Sequence, residues 1–126
     1  MGYIIRVNSK ISSSHYLRGY SGKCDRAHGH NFFVEMEIEG GELDKIGILI
    51  DFRDAKRILN EFLDKLDHTV LNETEYFKDL NPTAENIAMT IYENTADEVS
   101  DISGGKAKVS AIKVWETDEN CAEYRP

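Results

Sequence analysis

The chain contains 126 residues, of which 40% are hydrophobic and 30% charged. This length and balance predict one folded domain, residues 1–126, and exclude a disordered chain. The longest aliphatic stretch, Ile46 to Ile50, is far shorter than the roughly 20 apolar residues that span a bilayer. We therefore expect neither a membrane span nor a secretory signal, and a cytoplasmic protein whose two cysteines, Cys24 and Cys121, are free thiols.

The net charge of −8 argues against nucleic acid as a partner, because contacts to phosphates need a basic surface. The first 34 residues differ from the remainder, since five basic residues occur there beside a single acidic one, Asp25. The basic residues are Arg6, Lys10, Arg18, Lys23 and Arg26. This third of the chain is suited to a small anion; the alternative is that the acidic excess elsewhere belongs to solvated helix faces.

Alternation of apolar and polar residues predicts two strands in the first third of the chain. In residues 3–11 the set Tyr3, Ile5, Val7, Ser9 and Ile11 alternates with a more polar set, which predicts a strand with at least one buried face. Residues 31–39 place apolar side chains on one face and glutamates, including Glu37, on a solvated face. The apolar run 46–50 predicts a further short strand.

Two amphipathic helices are predicted next. Asp51 is placed to cap the first helix, whose apolar stripe continues to an end near Asp67. Asn81-Pro-Thr83 starts the second helix, and Ser103-Gly-Gly105 closes it.

Apolar, β-branched residues from Val109 to Trp115 predict another strand, and residues 121–124 an edge strand. The order ββααββ predicts an α+β fold with one antiparallel sheet and two helices on one face.

The histidines suggest a metal site. His28 and His30 are two residues apart, so in a strand both rings lie on the same side. His15 follows the end of the preceding strand, and an antiparallel hairpin brings that end beside His28. Three imidazoles with an open fourth position are the arrangement of catalytic zinc. The alternative is that these histidines are half-buried polar residues of a sheet.

Three further positions are candidates for chemistry. Cys24 lies between Lys23 and Arg26, which favour its thiolate form, although a free cysteine is commonly a small buried hydrophobic residue. Asp67 precedes His68 and can orient it as a proton carrier, or His68 can simply cap the helix end.

Glu116 follows the strand that ends at Trp115. A carboxylate there can accept two hydrogen bonds from the ring N–H and exocyclic amine of a pterin or guanine. The alternative is an ordinary surface carboxylate.

Six short motifs in order along the chain resemble the 6-pyruvoyltetrahydropterin synthase and QueD family. They are Ser14-His15, Cys24 to Asn31, Gly47 to Phe52, Leu66 to Asn72, Pro82 to Asn86 and Trp115 to Thr117. The resemblance implies the T-fold, a tunnelling barrel built by several subunits. It also implies a homohexamer of two trimers, with active sites between subunits.

The resemblance also implies a role for each matching residue. It gives His15, His28 and His30 as zinc ligands and Cys24 as the catalytic cysteine. It gives Asp67 and His68 as the proton-transfer pair, Glu116 as the pterin anchor, and Thr83 with Glu85 as residues of the pterin pocket. Ala84 stands where some members carry a second hydroxyl residue.

Three residues separate Cys24 from His28, a spacing that resembles the 6-carboxy-5,6,7,8-tetrahydropterin synthase branch. The implied substrate is 7,8-dihydroneopterin triphosphate, and the implied products are 6-carboxytetrahydropterin, acetaldehyde and triphosphate, on the route to queuosine. Lys23 and Arg26 are the nearest candidates to hold the triphosphate. The alternatives are a 6-pyruvoyltetrahydropterin synthase, another pterin lyase of the same fold, and a noncatalytic module stapled by zinc.

Overall fold

The computed structural model describes residues 2–19 and 26–126 of the chain. The strands are β1 (Tyr3–His15), β2 (His28–Gly40), β3 (Lys108–Trp115) and β4 (Cys121–Tyr124); the helices are α1 (Phe52–Leu63) and α2 (Ala84–Ile102), with a 3₁₀ turn at Leu71–Glu73. The predicted α+β class and the order ββααββ are confirmed. Within the described ranges, no helix is both long and apolar enough to cross a bilayer.

The strands form an antiparallel sheet in the order β1-β2-β3-β4. β1 and β2 pair along their whole lengths, from Tyr3 opposite Gly40 to His15 opposite His28. Because side chains alternate between the faces of a strand, this register decides which residues of the two strands share a face.

The core lies between one face of the sheet and the two helices. The inward side chains of β2 are fully buried, as are those of Ala55 and Leu59 in α1 and of Ile87 and Ile91 in α2. The inward residues of β2 are Phe32, Val34, Met36 and Ile38. Both helix starts are capped as their sequences predict: Asp51 accepts from the Arg53 N–H, and Thr83 accepts from the Asn86 N–H.

The predicted strand over residues 46–50 is wrong. The segment is a turn in which the Asp44 carboxylate accepts from the N–H groups of Ile46 and Ile48, and Gly47 has a φ of 87°. Leu49 and Ile50 are buried although they lie outside the sheet, which explains the apolar run. The first helix also ends earlier than predicted, at Leu63, and turns follow to Asp67.

Glu37 was predicted to face solvent, but it is 3% exposed. Its carboxylate accepts from Arg6 at 3.0 Å, from Ser110 at 2.9 Å and from Arg125 at 3.1 Å. Burial acts to raise the pKa of Glu37, but the Ser110 hydroxyl and the two guanidinium groups outweigh it and hold the pKa below its ordinary value. The charge is therefore compensated on the face of the sheet that lies away from the helices.

Replacing Glu37 by Gln is expected to lower the free energy of unfolding at pH 7 by about 1–3 kcal/mol, because charge-assisted hydrogen bonds are lost. A carboxyl group with a lowered folded-state pKa stabilises the fold above its unfolded-state pKa and loses that contribution as pH falls. The difference between the variant and the parent should therefore shrink below about pH 4.

Urea titrations of both proteins at several pH values measure this difference. Glu39→Gln is the matched control, since Glu39 is partly exposed and pairs with the exposed Lys108 at 3.4 Å; its effect should stay below about 0.5 kcal/mol. A Glu37→Gln effect no larger than that of the control would contradict the assignment of Glu37 as a stabilising buried charge.

Candidate metal centre and proton-transfer pair

The open end of the β1–β2 hairpin brings three histidines together. His15 pairs with His28, and Ser13 pairs with His30, so all four side chains lie on the same face of the sheet. The ring centroids of the three histidines lie 4.7–5.2 Å apart. His15 is 2% exposed, and its ring packs edge-on against Phe32.

Glu116 joins the three histidines from the end of β3. Its Oε1 atom lies 3.0 Å from His15 Nε2 and 3.4 Å from His30 Nε2. One ligand atom from each of His15, His28, His30 and Glu116 falls within 4.8 Å of the others. The fold thus assembles the predicted histidines and adds a carboxylate to them.

Backbone carbonyls orient two of the rings. His15 Nδ1 donates to Pro82 O at 2.7 Å, and His28 Nδ1 donates to Arg26 O at 2.8 Å. In a neutral imidazole a proton on Nδ1 leaves the lone pair on Nε2. Both rings therefore leave the Nε2 lone pair available to a metal ion, and metal-binding histidines usually make such a hydrogen bond through their other ring nitrogen.

The His15 Nε2 atom provides the test of whether a metal fits this group. It is buried and has no hydrogen-bond partner within the described part of the chain, although Glu116 Oε1 is 3.0 Å away. A lone pair on Nε2 and a carboxylate oxygen at this distance repel each other unless a positive charge, a proton or a metal ion, lies close to both. Imidazole nitrogens are donors that zinc prefers, and the carboxylate adds compensating negative charge, so the residues fit a zinc ion.

Burial lowers the pKa of His30, and the neighbouring rings of His15 and His28 lower it further, while Glu116 acts in the opposite direction. The neutral imidazole is the form that binds metal. The surroundings of His30 thus favour its metal-binding form.

Asp67 and His68 form a second group beside β1. Asp67 Oδ2 lies 3.0 Å from His68 Nδ1, and Asp67 Oδ1 accepts from the Ser12 N–H at 2.8 Å. His68 has a φ of 56° and its N–H donates to Ser12 O, which turns the ring outward to 81% exposure. The hydrogen bond from Ser12, with the hydrogen bond and charge of His68, keeps the pKa of Asp67 below its ordinary value. Asp67 is therefore a charged acceptor that orients His68.

One cleft of about 510 Å³ connects the two groups, because His30 and His68 both line it. Ser12, Asn31 and Thr69 line the same cleft. A molecule in this cleft can contact a residue of the metal group and a residue of the Asp67–His68 pair at once. The arrangement suits a reaction that needs a polarised oxygen and a separate proton carrier.

The family model described as 6-pyruvoyl tetrahydropterin synthase matches residues 4–126. The chain belongs to the 6-pyruvoyl tetrahydropterin synthase family. The family match confirms the resemblance seen in the six motifs. The chain is a pterin synthase of this family. It is 38% identical over 122 residues to an Archaeoglobus fulgidus protein provisionally named 6-carboxy-5,6,7,8-tetrahydropterin synthase, covering 97% of this chain and 95% of the relative.

Two other relatives carry the names of both branches. A Bacillus subtilis 6-carboxy-5,6,7,8-tetrahydropterin synthase is 34% identical to this chain, and the alignment covers 92% of this chain and 80% of the Bacillus protein. A Dictyostelium discoideum 6-pyruvoyl tetrahydrobiopterin synthase is 33% identical to this chain, and the alignment covers 82% of this chain and 74% of the Dictyostelium protein.

Solved structures confirm the T-fold. The Caenorhabditis elegans 6-pyruvoyl tetrahydropterin synthase superimposes with a TM-score of 0.83 at 24% identity, covering 100% of this family member and 96% of that chain. The Plasmodium vivax enzyme of the same name gives a TM-score of 0.78 at 17% identity, with 100% and 98% covered. At these identities the likeness concerns the fold alone.

The remaining predicted site residues are less closely grouped. Thr83 caps α2 with its hydroxyl, and Glu85 is exposed in the first turn of that helix. Arg26 is exposed, and its carbonyl accepts from His28. Cys24 and Lys23 lie outside the described residues.

Sequence reasoning assigned Glu116 to a pterin and did not place it against the histidines. The signal was available in the pairing of strands, because Phe33 lies opposite Trp115 and so brings the end of β3 beside the start of β2. That register depends on contacts between distant parts of the chain, which a linear pattern does not record.

Proposed function

We propose that this chain is a zinc-dependent 6-carboxy-5,6,7,8-tetrahydropterin synthase that converts 7,8-dihydroneopterin triphosphate into 6-carboxytetrahydropterin, acetaldehyde and triphosphate. The observation that carries this proposal is the grouping of His15, His28, His30 and Glu116 within 4.8 Å. One member of the group, His30, lines a cleft that His68 also lines. The names of the Archaeoglobus and Bacillus relatives, and the spacing of Cys24 and His28, favour this product.

A zinc ion held by His15, His28 and His30 supplies Lewis-acid polarisation of the substrate's side-chain hydroxyls. The reaction must also remove a proton from one carbon and return one to another, so two acid–base groups are needed. Cys24, as a thiolate, takes one of these roles. His68 takes the other, and Asp67 fixes its tautomer through the 3.0 Å contact at Nδ1. Lys23 and Arg26 are the proposed contacts for the triphosphate.

Glu116 is proposed as the pterin anchor, with Thr83 and Glu85 as further residues of the pocket. Three imidazoles already satisfy a catalytic zinc and leave one position open. The Glu116 carboxylate, with 35% of its side chain exposed, is then free to accept hydrogen bonds from the pterin ring.

Glu116→Gln separates the anchor role from the role of a fourth metal ligand. We expect the KM for the pterin substrate to rise about 10- to 100-fold, because charge-assisted hydrogen bonds are lost, while zinc affinity changes little. Steady-state kinetics and a zinc titration of the same variant measure both quantities. Loss of zinc from the variant would make Glu116 a ligand and would contradict the anchor role.

Assembly into a homohexamer of two trimers is part of the proposal. Within the described residues, β1 pairs with β2 along one edge, while on its other edge Ser12 and Ser14 bond to residues 67–70 and Asn8 O accepts from Lys56 Nζ. The edge from Tyr3 to Val7 can receive a strand of another subunit.

Product identification tests the proposed reaction. Purified protein loaded with zinc is incubated with 7,8-dihydroneopterin triphosphate, and the products are identified by mass spectrometry. We expect 6-carboxytetrahydropterin with acetaldehyde, and Cys24→Ala should retain zinc without forming either. Pyruvoyltetrahydropterin without acetaldehyde would assign the chain to the branch of the Dictyostelium relative. Bound zinc with no turnover in either protein would support a noncatalytic module.

A further inference from the structure

Within the described residues, the orientation of the proposed metal ligand His15 is fixed by a hydrogen bond to the backbone carbonyl of Pro82. Its Nδ1–H donates to Pro82 O at 2.7 Å, and this bond keeps the Nε2 lone pair directed at the metal group. The Pro82 carbonyl shares a planar peptide group with the Thr83 N–H, which donates to Asn81 O at 2.9 Å and so helps to fix the direction of that carbonyl. The residues that hold Asn81 and Thr83 therefore bear on the orientation of His15.

Asn81 ties this segment to the end of β1. Its Oδ1 accepts from the Arg18 N–H at 3.0 Å, and its Nδ2 donates to Arg18 O at 2.9 Å. The side-chain amide thus pairs with the backbone as a neighbouring strand would. Arg18 lies three residues after His15. The two hydrogen bonds between Arg18 and Asn81 therefore hold the two segments together close to the His15–Pro82 hydrogen bond.

Asn86 holds the same segment from α2. Its Nδ2 donates to Asn81 O at 2.9 Å, while its backbone N–H donates to the capping hydroxyl of Thr83. The carbonyl of Pro82 is therefore flanked by an anchored Asn81 and by the capped start of a 19-residue helix. Removing the Asn86 side chain takes away one of the two donors to Asn81 O, the other being the Thr83 N–H at 2.9 Å, and leaves the helix cap in place.

We infer that Asn81 and Asn86 are positioning residues for the metal ligand His15. They act through Pro82 O, which selects the tautomer of His15 with the proton on Nδ1 and holds the ring in place. The inference rests on the proposed metal centre. It assigns a metal-positioning function to the first turn of α2 and the residues before it, in addition to the proposed pterin contacts of Thr83 and Glu85.

Zinc affinity, measured by competition with a chromophoric chelator, tests the inference. Loss of the group that bonds a metal ligand usually costs about 10- to 100-fold in affinity, and Asn81→Ala and Asn86→Ala only loosen that group, so each is expected to weaken zinc binding by about 3- to 10-fold. Asn81→Asp keeps the acceptor for Arg18 N–H and should recover part of the loss. Asn94→Ala is the matched control, because Asn94 Nδ2 donates to Thr90 O at 2.8 Å within the same helix, and its zinc affinity should be unchanged.

Nitrogen-15 NMR of the imidazole rings in the zinc-free proteins provides a readout that a merely structural role would not move. His15 should carry its proton on Nδ1 in the parent protein and in Asn94→Ala, and should become a mixture of tautomers in Asn86→Ala. Zinc affinities of folded Asn81→Asp and Asn86→Ala within about twofold of the parent, with an unchanged tautomer, would overturn the inference.

If the proposed function is wrong, the experiments give a different result from the one that contradicts the role of Asn81 and Asn86. A parent protein that takes up no zinc would contradict the metal centre itself. The tautomer of His15 in the metal-free variants would then still decide whether Asn81 and Asn86 position the ring.

Discussion

Replacing His28 by Ala is expected to weaken zinc binding by about 10²–10³-fold and to abolish turnover. Structural zinc sites with four protein ligands gain about 10–16 kcal/mol, or about 3–4 kcal/mol per ligand; we expect a similar loss for one of the three proposed histidines, and each 1.4 kcal/mol is a factor of ten. His28 is the best ligand to remove, because its ring is only half-buried and its truncation leaves no cavity in the core. Equilibrium dialysis of the purified variant against buffered zinc measures the loss.

His68→Ala is the control for the loss of a histidine. Its ring is 81% exposed and lies outside the group formed by His15, His28, His30 and Glu116. This variant should bind zinc as the parent does while losing activity. A zinc dissociation constant of His28→Ala within about twofold of the parent value would remove His28 from the ligand set.

The second large effect is expected from Asp67→Asn, which should lower kcat by about 10²–10⁴-fold, the contribution of a positioned acid–base group. Asparagine keeps an acceptor for the Ser12 N–H, so the turn after α1 is preserved. It removes the negative charge opposite His68 Nδ1, so the ring loses the partner that fixes its tautomer and stabilises its charged form. Steady-state kinetics with a parallel zinc titration measure the effect.

Asp64→Asn is the matched control, because Asp64 is an exposed carboxylate three residues earlier, at the end of α1. Its kcat should equal that of the parent, and both variants should keep zinc and the parent melting temperature. An unaltered kcat in Asp67→Asn would exclude Asp67 and His68 from proton transfer.

The elements with a strong local period were predictable from the sequence. Alternation along β2 reports a strand with one buried face, and Phe32, Val34, Met36 and Ile38 are all fully buried. The capping residues Asp51 and Thr83 mark helix starts because each offers an oxygen to a free backbone N–H. These features depend on neighbours within a few residues.

Features set by distant contacts were not predictable in the same way. The run from Ile46 to Ile50 was predicted as a strand, yet Leu49 and Ile50 are buried by packing while Asp44 closes the turn. Glu37 follows the polar alternation of β2, but Ser110 and Arg125, 73 and 88 residues away, convert its position into a buried charged site.

In the candidate site, too, some features follow from local sequence and others from contacts between distant residues. The i, i+2 spacing of His28 and His30 places both rings on one face, and the hairpin adds His15. The Glu116 contact and the Asn81 bridge join segments far apart in the chain, so no local pattern announces them. The sequence therefore predicted the grouping of the three histidines on the hairpin, whereas the contact of Glu116 with them and the Asn81 bridge were not predicted.

The pairing of His15 with His28 also means that the histidine group forms in only one register of the β1–β2 hairpin. Sliding β1 by one residue would send Ser14 to the helix side and carry His15 to the opposite face, since successive side chains alternate. Val7 and Ile11 would leave the core in the same movement. A metal ion bound by His15 and His28 would therefore stabilise this register alone, and a shifted hairpin would lose both its hydrophobic contacts and the ion.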